Sequence, residues 1–225
     1  MLAPSIDLRS SSSSGIAGMP LGYASVKACS LIGLKPHVIT VQVCCTRGPS
    51  SFQMVGLPEA PVREARVRVD SALSALGVLM NEYAITVNLA PADLPKSGAT
   101  LDLALALGVL GAIGHFPAES LDGLIVLGEL GLDASLQPMR GVLPQLCGTL
   151  GGQLHTAVVP AENAREAGLV ELGRVLVASN LRAVIEHLAG RAELPRAGRT
   201  PFHPAITAPG QSDLSQVRGL SLIHI

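Results

Sequence analysis

The chain has 225 residues, of which 48% are hydrophobic, 15% charged and 2% aromatic, so it holds ample material for an aliphatic core. Sixteen basic and 17 acidic residues give a formal net charge of −1, without the basic excess of domains that grip nucleic acid by themselves. Two Tyr, three Phe and no Trp also argue against an aromatic platform that stacks single strands.

Composition divides the chain into four parts. Residues 1–20 contain five consecutive serines and no apolar period, which predicts a disordered extension, with Met19 as an alternative start. Residues 21–190 form the predicted folded domain. Residues 191–219 are rich in Pro, Arg and Gly and are interpreted as a linker leading into a further module. Residues 220–225 form a short tail.

Within the domain, the first half is rich in strands and the second alternates helix with strand, which predicts an α/β (α+β) fold with a mixed sheet covered by helices. The predicted strands are 24–31, 37–43, 52–55, 85–89, 124–130, 137–141, 156–159 and 174–177. The predicted helices are 59–76, 100–113, 143–150, 162–172 and 180–188. Helix 100–113 is apolar nearly all round and should be buried.

Two helix boundaries and one turn carry local signals. Gly77 has the position of a C′ glycine after the first helix. The last helix should be capped by Ser179 or Asn180 and stopped by Gly190. Between predicted strands 124–130 and 137–141, Asp133 and Ala134 form a turn.

The cysteines are interpreted as buried, aliphatic-like thiols: Cys29, Cys44, Cys45 and Cys147. Cys44 and Cys45 should point to opposite faces of their strand. The longest apolar run, residues 103–114, is too short for a membrane span of about 20 residues, and the N-terminus lacks the apolar region of a signal peptide. We therefore expect a cytoplasmic protein without a membrane partner.

Four separated motifs carry a family resemblance. They read Val55-Gly-Leu-Pro58, Asn88-Leu-Ala-Pro-Ala-Asp-Leu-Pro-Lys-Ser-Gly-Ala-Thr-Leu-Asp102, Leu127-Gly-Glu-Leu-Gly-Leu-Asp-Ala-Ser-Leu-Gln-Pro-Met-Arg-Gly-Val-Leu-Pro144 and Val159-Pro-Ala-Glu-Asn163. In this order they resemble the N-terminal Lon-protease-like domain of ComM/YifB-type, magnesium-chelatase-related AAA+ ATPases. The resemblance runs from about Tyr23 to Gly190, and Asp213-Leu-Ser-Gln-Val-Arg-Gly219 looks like the opening of the family's AAA+ module.

The resemblance implies a full-length protein that binds ATP and Mg²⁺, forms a hexameric ring and moves DNA branches during natural transformation and recombination. This chain contains no Gly-x-x-x-x-Gly-Lys-Ser/Thr loop. It ends Leu220-Ser-Leu-Ile-His-Ile225, which a sequencing-library transposon end can encode, so we expect this tail to be an artefact. The domain itself would be a non-catalytic accessory that assembles the ring or presents DNA, and the −1 charge favours assembly.

Lon-type proteases pair a serine nucleophile with an activating lysine. The resemblance places the serine where this chain has Thr100 and the lysine where it has Leu143. Leucine cannot accept a proton, so the dyad is broken, and we expect Thr100 to cap the buried helix or to pack. Two alternatives stay open: a Lon-like Ser/Thr hydrolase that uses Thr100 with an unrecognised base, and a magnesium-chelatase-type metal-insertion partner.

Charged residues give two further hypotheses. A metal site could be sought among four acidic residues: Asp93, Asp102, Glu129 and Asp133. Structural roles are favoured, because Asp102 complements a helix dipole and Asp133 suits a turn, so no cofactor or metal is expected in this piece. Arg63, Arg66 and Arg68 form a basic cluster on the first helix, interpreted as a solvated face or as a contact to DNA or a neighbouring subunit.

Overall fold

The computed structural model describes residues 20–56, 60–94 and 101–199. The strands are β1 (Pro20–Ile32), β2 (Lys35–Arg47), β3 (Ser51–Val55), β4 (Tyr83–Ala90), β5 (Leu124–Val126), β6 (Glu129–Leu130), β7 (Leu136–Gln137), β8 (Thr156–Pro160) and β9 (Arg174–Ala178). The α-helices are α1 (Ala60–Ala75), α2 (Asp102–Ala112), α3 (Val142–Thr149), α4 (Ala164–Ala167) and α5 (Leu181–Leu188).

The first half of the sheet grows from a long hairpin. β1 and β2 pair antiparallel through a turn at Gly33, whose φ of 63° is in the region that favours glycine. Along both strands, fully buried residues such as Val26 and Val41 alternate with half-buried ones. This period of two places one face of the hairpin in the core. β4 adds antiparallel to β2, and β3 lies parallel to β4 at the edge.

The second half of the sheet is parallel. β5 lies beside β1, and β8 and β9 follow it, which gives seven strands in the order β3-β4-β2-β1-β5-β8-β9. β6 and β7 form a separate two-stranded hairpin. The predicted α/β (α+β) class with a mixed sheet is confirmed.

Helix α2 is the centre of the larger core. All 11 of its residues are buried, as the sequence predicts, and it packs on β1, β2 and α1. Gly108 permits the close approach to β2, because a Cβ atom there would lie 2.5 Å from Val43 Cγ2. A second apolar cluster joins α3 to β5, β8 and β9 and includes Cys29 and Leu146. Two separate apolar layers therefore hold the sheet.

Several predicted boundaries are confirmed. Gly77 ends α1 with φ of 81°, and Val78 N–H donates to Leu73 O at 2.9 Å, the long bond of a Schellman motif. Asn180 caps α5, since its side chain accepts from Ala183 N–H at 2.9 Å. Cys45 is buried while its neighbour Cys44 lies on the opposite, less buried face.

Four predictions are wrong. Strand 124–130 divides into β5 and β6, because the chain leaves the sheet at Gly128, whose carbonyl accepts from Leu103 N–H at 3.1 Å. Strand 137–141 shortens to β7, since Pro138 has no N–H to continue the ladder. Helix 162–172 contains only a 3-10 turn and the short α4, whose C-cap is Gly168. Cys147 is exposed on α3, where it faces solvent rather than either core.

The packing continues past residue 190. Leu194 is buried in the larger core. Val177 N–H donates to Pro195 O, and Ala197 N–H donates to Val175 O, each at 2.9 Å. The stretch from Leu194 to Ala197 thus runs along the outer edge of β9. No helix in the described parts of the chain has the length and apolar character to cross a membrane.

We predict that Gly108→Ala destabilises the protein by about 1–3 kcal/mol, because the added methyl group overpacks the core. Helix propensity alone favours alanine by ~1 kcal/mol, but Val43 is fully buried and stiff at its branched Cβ. Gly198→Ala is the matched control, since its Cβ would meet no atom within 4 Å. Urea denaturation measures both, and a Gly108→Ala variant as stable as the control contradicts the packing.

Candidate functional site

The start of α2 holds a buried ion pair. Asp102 is the first residue of α2 and its side chain is fully buried. Arg68 of α1 reaches it with two hydrogen bonds, Nε to Oδ2 at 2.6 Å and Nη2 to Oδ1 at 2.9 Å. Leu130 N–H on β6 also donates to Oδ2, at 3.2 Å. One carboxylate therefore ties together two helices and the small hairpin.

Burial and hydrogen bonding have opposite effects on the pKa of Asp102. Burial raises the pKa of Asp102 above its ordinary value, although Arg68 and the Leu130 N–H act to lower it. The hydrogen bond to Asp102 raises the pKa of Arg68. The Arg68 side chain is 21% exposed, so water reaches the cation but not the anion. The partner that most needs compensation is Asp102.

Sequence reasoning placed Asp102 correctly at a helix start but missed its partner. The available signal was the helical position of Arg68, three residues after Ala65 and four before Ala72, both fully buried. Residues at these spacings share a face, so an arginine there must turn inward or find a carboxylate.

The predicted arginine cluster does not form one patch. Arg66 is exposed, and its guanidinium lies 5.5 Å from the centroid of the Phe52 ring, a cation–π distance. Arg68, two residues on, points to a different side of α1 and pairs with Asp102. Arg63 lies on α1, but its side chain is outside the described part of the structure. Of the two arginines whose side chains are described, Arg66 is the one that is open to a partner.

Of the two positions equivalent to the protease dyad, Leu143 lies in the described structure and Thr100 lies outside it. Leu143 is half-buried in the first turn of α3, and its N–H donates to Glu166 Oε1 at 2.9 Å. Asn163 binds both the N–H and the carbonyl of Met139, at 3.0 and 2.8 Å. Asn163 and Glu166, which sequence reasoning missed, fix the loop that would present a catalytic lysine.

Of the chain's lysines, Lys27 and Lys35 are described and Lys96 is not. Lys27 donates to Thr40 Oγ1 across the hairpin at 2.8 Å. Lys35 is exposed at the start of β2. Both described ammonium groups therefore belong to the β1–β2 hairpin rather than to the first turn of α3.

The four acidic candidates do not form a metal centre in the described structure. Asp133 accepts from Ser135 N–H at 3.0 Å and from Ser135 Oγ at 2.6 Å, which confirms its turn role and lowers its pKa. Asp93 is exposed and Glu129 half-buried. Across residues 20–56, 60–94 and 101–199, no group of three or more His, Cys, Asp or Glu could hold a metal ion. With no Walker-type loop in the sequence, these residues do not fit an ATP–Mg²⁺ site.

We predict that removing Arg68 alone destabilises the protein more than removing both members of the ion pair. Arg68→Met should cost about 3–5 kcal/mol, because it leaves a buried carboxylate without its partner. The double variant Arg68→Met/Asp102→Leu should be more stable than Arg68→Met, since no buried charge remains. Urea denaturation measures the free energies, and Arg66→Met is the matched control, expected within about 1 kcal/mol of the parent.

The same variants should differ in pH dependence. A carboxyl group whose folded pKa is raised adds stability at low pH and loses it as pH rises through that pKa. Arg68→Met removes an interaction that lowers the pKa of Asp102, so its deficit relative to the parent should grow from pH ~5 to pH ~8, while that of the double variant, which has no carboxyl group at position 102, should not grow. Equal deficits at both pH values would contradict a buried charge at Asp102.

The chain is similar to a known protein family and to several known proteins. The family model for subunit ChlI of Mg-chelatase matches residues 41–163. Competence protein ComM of Haemophilus influenzae is 33% identical over 201 residues, covering 88% of this chain and 39% of ComM. The uncharacterized protein YifB of Escherichia coli is 37% identical over 188 residues, covering 84% and 36%. Lon protease 2 of Bacillus subtilis is 23% identical over 135 residues, covering 59% and 23%.

The chain thus spans between a third and two fifths of the length of ComM and YifB. The match with the ChlI model covers α2, α3 and Asn163 and ends before Glu166. The chain belongs to the ComM and YifB family of magnesium-chelatase-like proteins.

Proposed function

We propose that the chain is a non-catalytic, N-terminal accessory domain of a ComM-like AAA+ ATPase that moves DNA branches during natural transformation and recombination. The observation that carries this is the 33% identity with competence protein ComM over 88% of the chain. The competence role comes from the name of that relative. ATP and Mg²⁺ would bind the module that follows, which would also form the hexameric ring.

The accessory role is supported by what the domain offers chemically. Leu143 supplies no base, and its N–H is engaged by Glu166. A formal charge of −1 gives little attraction for a long stretch of DNA. The domain would therefore act by contact with neighbouring subunits, with exposed Arg66 as a candidate contact.

The complete protein provides the first test. The reading frame should be followed in the source DNA past Gly219, and the encoded protein compared with a version lacking residues 20–199. We expect the deletion to lower the fraction of hexamers with ATP, measured by mass photometry, and to slow branch migration. Unchanged assembly and unchanged migration would overturn the accessory role, and a continuation without a Walker loop would overturn the motor.

The 225-residue chain provides the second test. With a formal charge of −1, it should bind a branched DNA junction no more tightly than a typical non-specific site, with Kd above about 1 µM at physiological salt. Fluorescence anisotropy at two salt concentrations measures this. Tighter, strongly salt-dependent binding would assign DNA capture to this domain instead of assembly.

The similarity to Lon protease 2 keeps one rival, a Lon-like hydrolase in which Thr100 is the nucleophile. We expect no turnover of a fluorogenic peptide by the chain, and hence no effect of Thr100→Ala. Turnover that is abolished by Thr100→Ala would establish the rival, because a contaminating protease would be insensitive to that substitution.

A further inference from the structure

Three arginines are among the residues that line one cavity beside β9. The cavity has a volume of about 240 Å³, and its lining includes Arg174, Arg196 and Arg199 together with one carboxylate, Glu171. Arg174 begins β9, and Arg196 lies opposite Leu176 on the stretch that runs along its edge. Sequence reasoning assigned Arg196 and Arg199 to a linker. Both line the cavity, and Arg196 lies beside the middle of β9.

The charges in this lining do not balance. Arginine stays protonated at every accessible pH, so the residues that line the cavity carry three positive charges and one negative charge. Among the described residues, the ion pairs are Arg68–Asp102 and Arg191–Glu186, and neither involves these three. A bound anion would compensate this excess of positive charge.

The Arg174 side chain gives an independent indication. Its Nε–H is buried and has no hydrogen-bond acceptor among the described residues. A buried donor without a partner is expensive, whereas an oxyanion in the cavity would supply the acceptor. A guanidinium matches such a group well, because its parallel N–H bonds fit two oxygens of phosphate.

Size and charge select the ligand class. One water molecule occupies ~30 Å³ of liquid, so the cavity can admit a tetrahedral phosphate and part of its hydration shell. The lining has a surplus of two positive charges. A terminal phosphate carries about −1.5 to −2 at pH 7, while each internal DNA phosphodiester carries about −1. We propose that this cavity binds a doubly charged phosphate, either free phosphate or a terminal phosphate monoester.

This proposal is independent of the proposed accessory role. A site for one phosphate does not require the broad basic surface that tight DNA binding needs. It predicts weak, saturable binding, and the chain can have it whether or not it assembles into a ring.

The test is a titration of the 225-residue chain with inorganic phosphate at constant ionic strength, followed by amide NMR. We expect saturable shifts at Gly173, Arg174 and Ala197, with chloride giving none. Arg174→Gln and Arg199→Gln should each weaken binding about tenfold, since each removes a charge-assisted hydrogen bond. Arg140→Gln is the matched control, because it removes an equal charge from an exposed residue outside the cavity.

Arg199 is exposed, so the phosphate affinity of Arg199→Gln tests the site if Arg174→Gln fails to fold. Unsaturated shifts spread over the surface, or wild-type affinity in Arg199→Gln, would overturn the site. A DNA oligonucleotide with a 5′-phosphate and the same oligonucleotide without it separate the sources. Competition by the first alone identifies a DNA end, no competition by either identifies free phosphate, and equal competition by both would refute a doubly charged ligand.

Discussion

The complete burial of α2 is the constraint on which the arrangement of the larger core depends. A helix enclosed on all sides gains from every apolar side chain, but any charge it carries must be compensated inside the protein. Asp102 is that charge, and it is fully buried. Its bonds to Arg68 and to Leu130 N–H position α1 and the β6–β7 hairpin around the start of α2. Burial of Asp102 therefore costs solvation free energy, while its hydrogen bonds fix the positions of the elements around the start of α2.

Close packing of α2 on the β1–β2 hairpin explains why α2 carries glycine where it contacts these strands. Gly108 lies over Val43 and Gly111 over Ala24, where a Cβ atom would be 2.5 and 3.1 Å from its neighbour. The opposite side of the same strands carries polar pairs, with Asn88 Nδ2 donating to Gln42 Oε1 at 2.8 Å. The alternation along each strand is the consequence of this difference between the two faces.

Local signals in the sequence were sufficient for several elements. The period of α1, Gly77 after it, the apolar run of α2 and the cap at Asn180 depend on residues within a few positions of one another. Likewise, the sequence alone shows that position 143 holds a leucine and not a lysine. Pairings between distant segments were not accessible in this way. Arg68 and Asp102 are 34 residues apart, and Leu143 meets Glu166 across 23 residues.

The errors share this cause. The segment 124–130 is apolar except for Glu129, and only the contact of Gly128 with Leu103 shows that it leaves the sheet there. Residues 195–197 lie in a segment with the composition of a linker, yet their backbone bonds to β9. Composition describes what a segment can do alone, whereas an available strand edge decides what it does in the folded chain.

Net charge, like composition, is a property of the whole chain and not of one site. A value of −1 describes the field of the whole chain at a distance, and it argues against a wide surface for DNA. It does not describe how the cations are placed. Arg68 is neutralised by Asp102 and Arg191 by Glu186, while Arg174, Arg196 and Arg199 share one cavity with Glu171. A nearly neutral chain can thus concentrate positive charge at one point, and a single phosphate requires no more than that.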